Sequence, residues 1–74
     1  MWPVAEQIRA EMVANVLSVL VSAGDPVKAG QPVVIMESMK MEIPVLAEQG
    51  GTVNRVFVSE GDVVQEGDVM VEIA

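Results

Sequence analysis

At 74 residues and a formal charge of −7, the chain holds a single domain whose one core is marginal for its size. Cysteine and histidine are absent, which removes disulfide staples and the usual ligands of a zinc site. The acidic balance argues against nucleic acid or an anionic membrane surface as a partner.

No apolar run reaches the length of a membrane span, and no basic region followed by an apolar stretch opens the chain, so the cytoplasm is the expected compartment. The apolar share of 51% rests mainly on sixteen valines, with Trp2 and Phe57 the only aromatics. Valine is stiff at χ1 and suits the pleated surface of a sheet. The expected class is all-β.

Residues 1–10 read as a lead-in, disordered in part. Val4, Ile8 and Met12 are spaced i, i+4, i+8, which permits a helical turn or two, but the run is too short to be stable alone. Trp2 is expected to be disordered rather than to cap an apolar edge, and the last residues of the lead-in join the first strand.

From residue 13 the chain repeats itself. A shift of 37 positions pairs Val16 with Val53, Val19 with Val56, Val21 with Val58, Ser22 with Ser59, Gly24 with Gly61, Asp25 with Asp62, Val27 with Val64, Gly30 with Gly67 and Val34 with Val71. Two copies are too few for a solenoid, so two halves related by an approximate two-fold axis are expected. Each half predicts a long strand (16–22, 53–59), a Gly-Asp turn, a short strand (26–28, 63–65), a Gly turn and a further strand (32–37, 69–73). The Gly-Asp pairs suit turns because Gly takes φ > 0 freely and Asp can bond its own backbone. Gly50-Gly51, after Glu48-Gln49, marks the join between the copies.

Alternation predicts the buried faces. Val69, Val71 and Ile73 alternate with Asp68, Met70 and Glu72, which sets the first group inward together with Val34 and Met36. Val19, Val21, Val56 and Val58 form a second inward set. Val16 and Val53 fall out of phase with them, which predicts a bulge or a sharp twist in each long strand. Two small sheets packed face to face would enclose this core.

The first half does not end at its third strand. It runs on through Glu37-Ser38-Met39-Lys40-Met41-Glu42 into a return strand, 41–47. Apolar runs on both sides, Val33-Val34-Ile35-Met36 and Ile43-Pro44-Val45-Leu46, predict a β-hairpin with Lys40 at its tip. The polar break contains no Gly, Asn or Asp, the residues that two-residue hairpin turns usually need for positive φ. A local departure from turn rules at one named spot marks a candidate functional site.

The run Ser38-Met39-Lys40-Met41, with Glu37 ahead and a strand on either side, resembles the attachment site of biotinyl domains, the carriers of biotin-dependent carboxylases, which is usually (Ala/Ser)-Met-Lys-Met. The resemblance covers residues 11–74. Related lipoyl domains also carry a tip lysine, but with Asp before it and Ala after it, and neither is present here. Two departures stand out. Ala14-Asn15 replaces the Pro-Gly of many members, where the αL tolerance of Asn preserves a turn, and the first long strand lacks the inserted loop of some acetyl-CoA carboxylase carrier subunits.

The resemblance implies a flattened barrel of two four-stranded antiparallel sheets with internal pseudo-two-fold symmetry. It also implies covalent biotin on Lys40, attached by a biotin protein ligase. Met39, Met41, Ser38, Glu37 and Glu42 would form the recognition flank. Biotin carboxylase and carboxyltransferase would be the partners of a monomeric, non-catalytic carrier. Free lysine is almost wholly protonated near neutral pH, and the chain offers no nucleophile–base pair or metal site, so deprotonation of the amine falls to the ligase. The remaining readings are a lipoyl acceptor and an unmodified acidic binding module. Lys28, the other lysine, has no methionine neighbours and reads as plain surface.

Overall fold

The computed structural model describes residues 6–74. The valine-rich alternation becomes eight strands, with no helix among the described residues, hence none long and apolar enough to cross a membrane. In chain order they are β1 (Glu6–Arg9), β2 (Ala14–Val19), β3 (Pro26–Val27), β4 (Pro32–Ser38), β5 (Met41–Leu46), β6 (Gly51–Val56), β7 (Val63–Val64) and β8 (Val69–Ile73). Two four-stranded sheets result, ordered β1-β8-β6-β3 and β5-β4-β2-β7, with every pairing antiparallel.

A shift of 37 residues carries β1, β2, β3 and β4 onto β5, β6, β7 and β8, and so carries one sheet onto the other. The halves are interlocked rather than side by side. The Gly24 amide donates to the Val53 carbonyl at 2.7 Å, and the Gly61 amide donates to the Val16 carbonyl at 2.9 Å. The return bonds, Val53 N to Asp25 O and Val16 N to Asp62 O, are both 2.8 Å. Each Gly-Asp turn is thus docked on the long strand of the other half, and neither half can close its core alone.

Of the two readings, bulge or sharp twist, the long strands show register-shifting bulges, and these come in symmetric pairs. Between β2 and β4 the register skips Leu17, and between β6 and β8 it skips Asn54, its counterpart. Val16 and Val53 are buried through these shifts. A second pair was not legible. The register skips Val33 between β4 and β5 and Met70 between β1 and β8, so Val33-Val34 and Met70-Val71 are each two consecutive buried residues. Met70, read as outward by alternation, is therefore fully buried, while Val69 is only half-buried. A bulge places two neighbours against one partner residue and interrupts the period of two.

Several boundaries differ from the expectation. Residues 6–9, read as part of a lead-in with room for a helical turn, form β1, which pairs with β8 from Glu6↔Ile73 onward and buries Ile8. Ala10 follows, buried, with its amide donating to the Asp68 carbonyl at 2.8 Å, as its counterpart Ala47 donates to Gln31 at 2.9 Å. Pairing and burial override a weak local helical pattern. The expectation for Trp2 lies outside the described residues.

The long strands begin and end earlier than predicted, at 14–19 and 51–56. Asn15 is not a turn residue: it lies inside β2, paired with Glu37 and Val63. Gly51 likewise opens β6 instead of forming a turn.

Gly24 and Gly61 adopt φ of 94° and 90°, and a side chain at either would meet open space. Only backbone strain opposes substitution there. Gly24→Val and Gly61→Val are each expected to cost about 1–2 kcal/mol, read as a drop in denaturant midpoint with unchanged slope.

Candidate functional site at the β4–β5 hairpin

β4 and β5 pair without interruption from Met36↔Ile43 through Glu37↔Glu42 to Ser38↔Met41. This leaves a two-residue loop, Met39 and Lys40, with φ of 53° and 63°. Positive φ at both central residues is the primed turn whose twist matches the flanking strands. Met39 and Lys40 are the only non-glycine residues with positive φ among those described. Left-handed backbone costs about 1–2 kcal/mol for a residue with a Cβ, and such strain concentrates at functional sites. Met39→Asn, which relieves the strain at one position, is expected to stabilise the fold by about 1 kcal/mol in a denaturant melt.

The base of the hairpin supplies the rigidity that holds this turn. Val34 and Met36 are buried, and Ile43 and Val45 pack on the core from the facing strand. The Ser38 hydroxyl donates to the Val13 carbonyl at 3.3 Å, which ties the tip to the segment entering β2. Ser38 is thus a brace for the tip, a role that its place in the motif alone does not reveal.

Beyond this base the tip stands in solvent. Met39, Lys40 and Met41 are all exposed, and no side-chain hydrogen bond among the described residues engages the Lys40 amine. Glu37 is half-buried and Glu42 exposed, and they face each other directly across the ladder. Like charges in that position disfavour pairing, a second departure from what stability alone selects. Glu37, Ser38, Met39, Lys40, Met41 and Glu42 therefore lie together at one end of one hairpin.

Lys28 lies elsewhere, exposed after β3, in a turn where its own amide donates to Gln31 Oε1 at 3.0 Å. A groove of about 370 Å³ runs between the edge strands β1 and β5, and its lining includes Ile8, Met12, Met36 and Ile43. Among the described residues no group of three or more acidic, His or Cys side chains is placed to hold a metal ion. The chemistry available at the tip is that of one projected primary amine on an unbranched four-carbon stem.

Comparison with known proteins bears on that amine. The family described as biotin-requiring enzyme matches residues 6–73. The chain is 56% identical over 70 residues to a biotinylated protein TB7.3 homolog of Mycobacterium leprae, covering 95% of this chain and 99% of that one. It is 48% identical over 67 residues to a biotin/lipoyl attachment protein of Bacillus subtilis, covering 90% and 92%. Among solved structures, the urea carboxylase of Kluyveromyces lactis superimposes on the whole chain with a TM-score of 0.89 at 32% identity, and this chain spans 7% of its length.

Proposed function

This chain belongs to the biotin/lipoyl family of biotin-requiring enzymes, and from that membership we propose that it carries biotin in amide linkage on Lys40. The observation that carries the proposal is the tip: an exposed amine with no hydrogen bond from the described residues, on a two-residue turn held in left-handed backbone by a paired hairpin. The residues present fit such a group, since attachment requires an accessible nucleophile and its use requires an unobstructed swing. Met39 and Met41 on either side favour biotin over lipoate.

In loading, a biotin protein ligase presents biotin activated at its carboxyl group. The ligase takes the proton from the Lys40 amine, and the amine attacks the acyl carbon. An amide forms and the activating group leaves. Met39 and Met41 give the ligase an adaptable apolar contact. Glu37 and Glu42 give it a pair of carboxylates to orient against, and Ser38 holds the turn. When bound, biotin supplies a ureido ring that accepts a carboxyl group at a biotin carboxylase and releases it at a carboxyltransferase. The barrel itself catalyses neither step. It keeps the tether at high effective concentration near both sites, and the hairpin carries the lysine clear of its surface.

Incubation with biotin, ATP, magnesium and a biotin protein ligase, followed by intact mass and peptide mapping, tests the proposal. One biotin per chain, on Lys40, is expected. Loading at Lys28, or acceptance of lipoate in place of biotin from the corresponding ligases, overturns it.

A further inference from the structure

The chain has six methionines, of which Met1 lies outside the described residues. The other five divide sharply by exposure. Met36 and Met70 keep 3% and 0% of their surface and are core residues, whereas Met39 keeps 88%, Met41 61% and Met12 41%. Among the described residues, the two most exposed thioethers are therefore the two that flank Lys40. A thioether reacts with peroxides when solvent reaches its sulfur, and the product sulfoxide is polar and hydrogen-bond accepting. Burial protects Met36 and Met70 in the folded protein, and Met12 is less exposed than the pair at the tip, so the fold ranks the tip thioethers first among the described methionines.

We propose that Met39 and Met41 are a paired oxidation site whose sulfoxides block loading of Lys40. The inference rests on the reading of Lys40 as the biotin acceptor and deepens it. In the step, a lone pair on the thioether sulfur attacks one oxygen of hydrogen peroxide and the O–O bond breaks. The sulfur keeps that oxygen, and the other leaves as water after proton transfer. Sulfur is oxidised by two electrons and the peroxide is reduced by two. A methionine sulfoxide reductase reverses the change with a dithiol as electron donor, which makes the modification a switch and not only damage.

The effect on loading follows from contact chemistry. The ligase must cover the flanks to bring its acyl donor to the amine. An apolar, adaptable methionine accepts that covering. A sulfoxide loses its water there without a prepared donor, and such a mismatch lowers loading by at least about tenfold. The fold is untouched, because Met39 and Met41 lie outside the core cluster.

The test treats the full chain with limiting hydrogen peroxide, removes the excess with catalase, and then measures the initial rate of biotin loading. Peptide mapping is expected to show oxygen on Met39 and Met41 first, then on Met12, with Met36 and Met70 unchanged. Loading is expected to fall at least about tenfold and to recover after treatment with methionine sulfoxide reductases. A Met39→Leu/Met41→Leu variant is compared with its own untreated rate, which peroxide should leave unaltered. Undiminished loading of chains oxidised at both positions overturns the inference, as does a peroxide-induced fall in loading of the double-leucine variant relative to its own untreated rate, or equal oxidation of Met36 and Met70. If untreated protein takes no biotin at all, the acceptor reading itself falls, and this inference with it.

Discussion

Lys40→Arg is expected to abolish biotin loading completely while changing stability by no more than about 0.5 kcal/mol. The charge is kept, the side chain is exposed, and among the described residues it makes no hydrogen bond that the change would break. Arginine at φ of 63° meets the same backbone strain as lysine. The guanidinium, however, stays protonated and is no acyl acceptor near neutral pH. Streptavidin capture after ligase treatment should read zero, and a denaturant melt should superimpose on the parent. Moving the amine by one residue, in Met39→Lys with Lys40→Met, sharpens the result. The turn and composition are retained, yet the lysine leaves the turn from a different position. Loading should fall steeply with the barrel intact, and undiminished loading of the shifted variant would show that position at the tip is not what the ligase reads.

Gly51→Val is expected to destabilise the domain by about 3 kcal/mol or more, the largest effect of any exposed-loop or strand-end change proposed for it. A Cβ at Gly51 would sit 2.5 Å from the Ala74 carbonyl oxygen and 2.9 Å from Cγ2 of Ile73. Ile73 is fully buried, and Ala74 exchanges backbone bonds with Thr52 at 2.9 and 3.3 Å, so neither neighbour can withdraw cheaply. Overpacking of this kind typically costs about 1–3 kcal/mol, and valine adds two further carbons to the clash. In a domain this small, such a loss takes most of the available stability. Gly50 is the built-in control, because a Cβ there has its nearest neighbour at 3.4 Å. Gly50→Ala should shift the melt by less than about 1 kcal/mol, and equal effects at the two glycines would refute the close-approach account.

The two glycines separate a local requirement from a tertiary one. Gly50-Gly51 announces a break in the chain, but the sequence does not carry the reason for the second glycine. Gly51 has no positive φ; it is small because the C-terminal strand end passes against it. That neighbour is 23 residues away in sequence (74 − 51), and no local rule contains it. Gly24 and Gly61 are the opposite case. Their requirement is a local backbone angle, which the Gly-Asp pattern and its recurrence announce on their own.

What the sequence determined by itself was local or periodic. The internal repeat of 37 residues, the β class and the irregularity in each long strand follow from the valine spacing and the Gly-Asp turns, and the hairpin carrying Lys40 follows from the apolar runs on either side of it. The candidate site was legible for the same reason, since its lysine and the residues around it are six consecutive residues on one hairpin. Only tertiary structure decided that Glu6–Arg9 is a strand. Its counterpart in the other half, Ile43-Pro44-Val45-Leu46, shares no residue with it, and its apolar spacing favours a helix. Only Ala10-Glu11, repeated at Ala47-Glu48, hints at the relation. Pairing with β8 and burial of Ile8 and Ala10 outweigh the local preference. The tie from Ser38 to Val13 and the burial of Met70 are of the same kind: each depends on a partner that the chain brings close only by folding. Hydrogen-bond partners and bulges are set by which strands meet, and that is a property of the closed barrel.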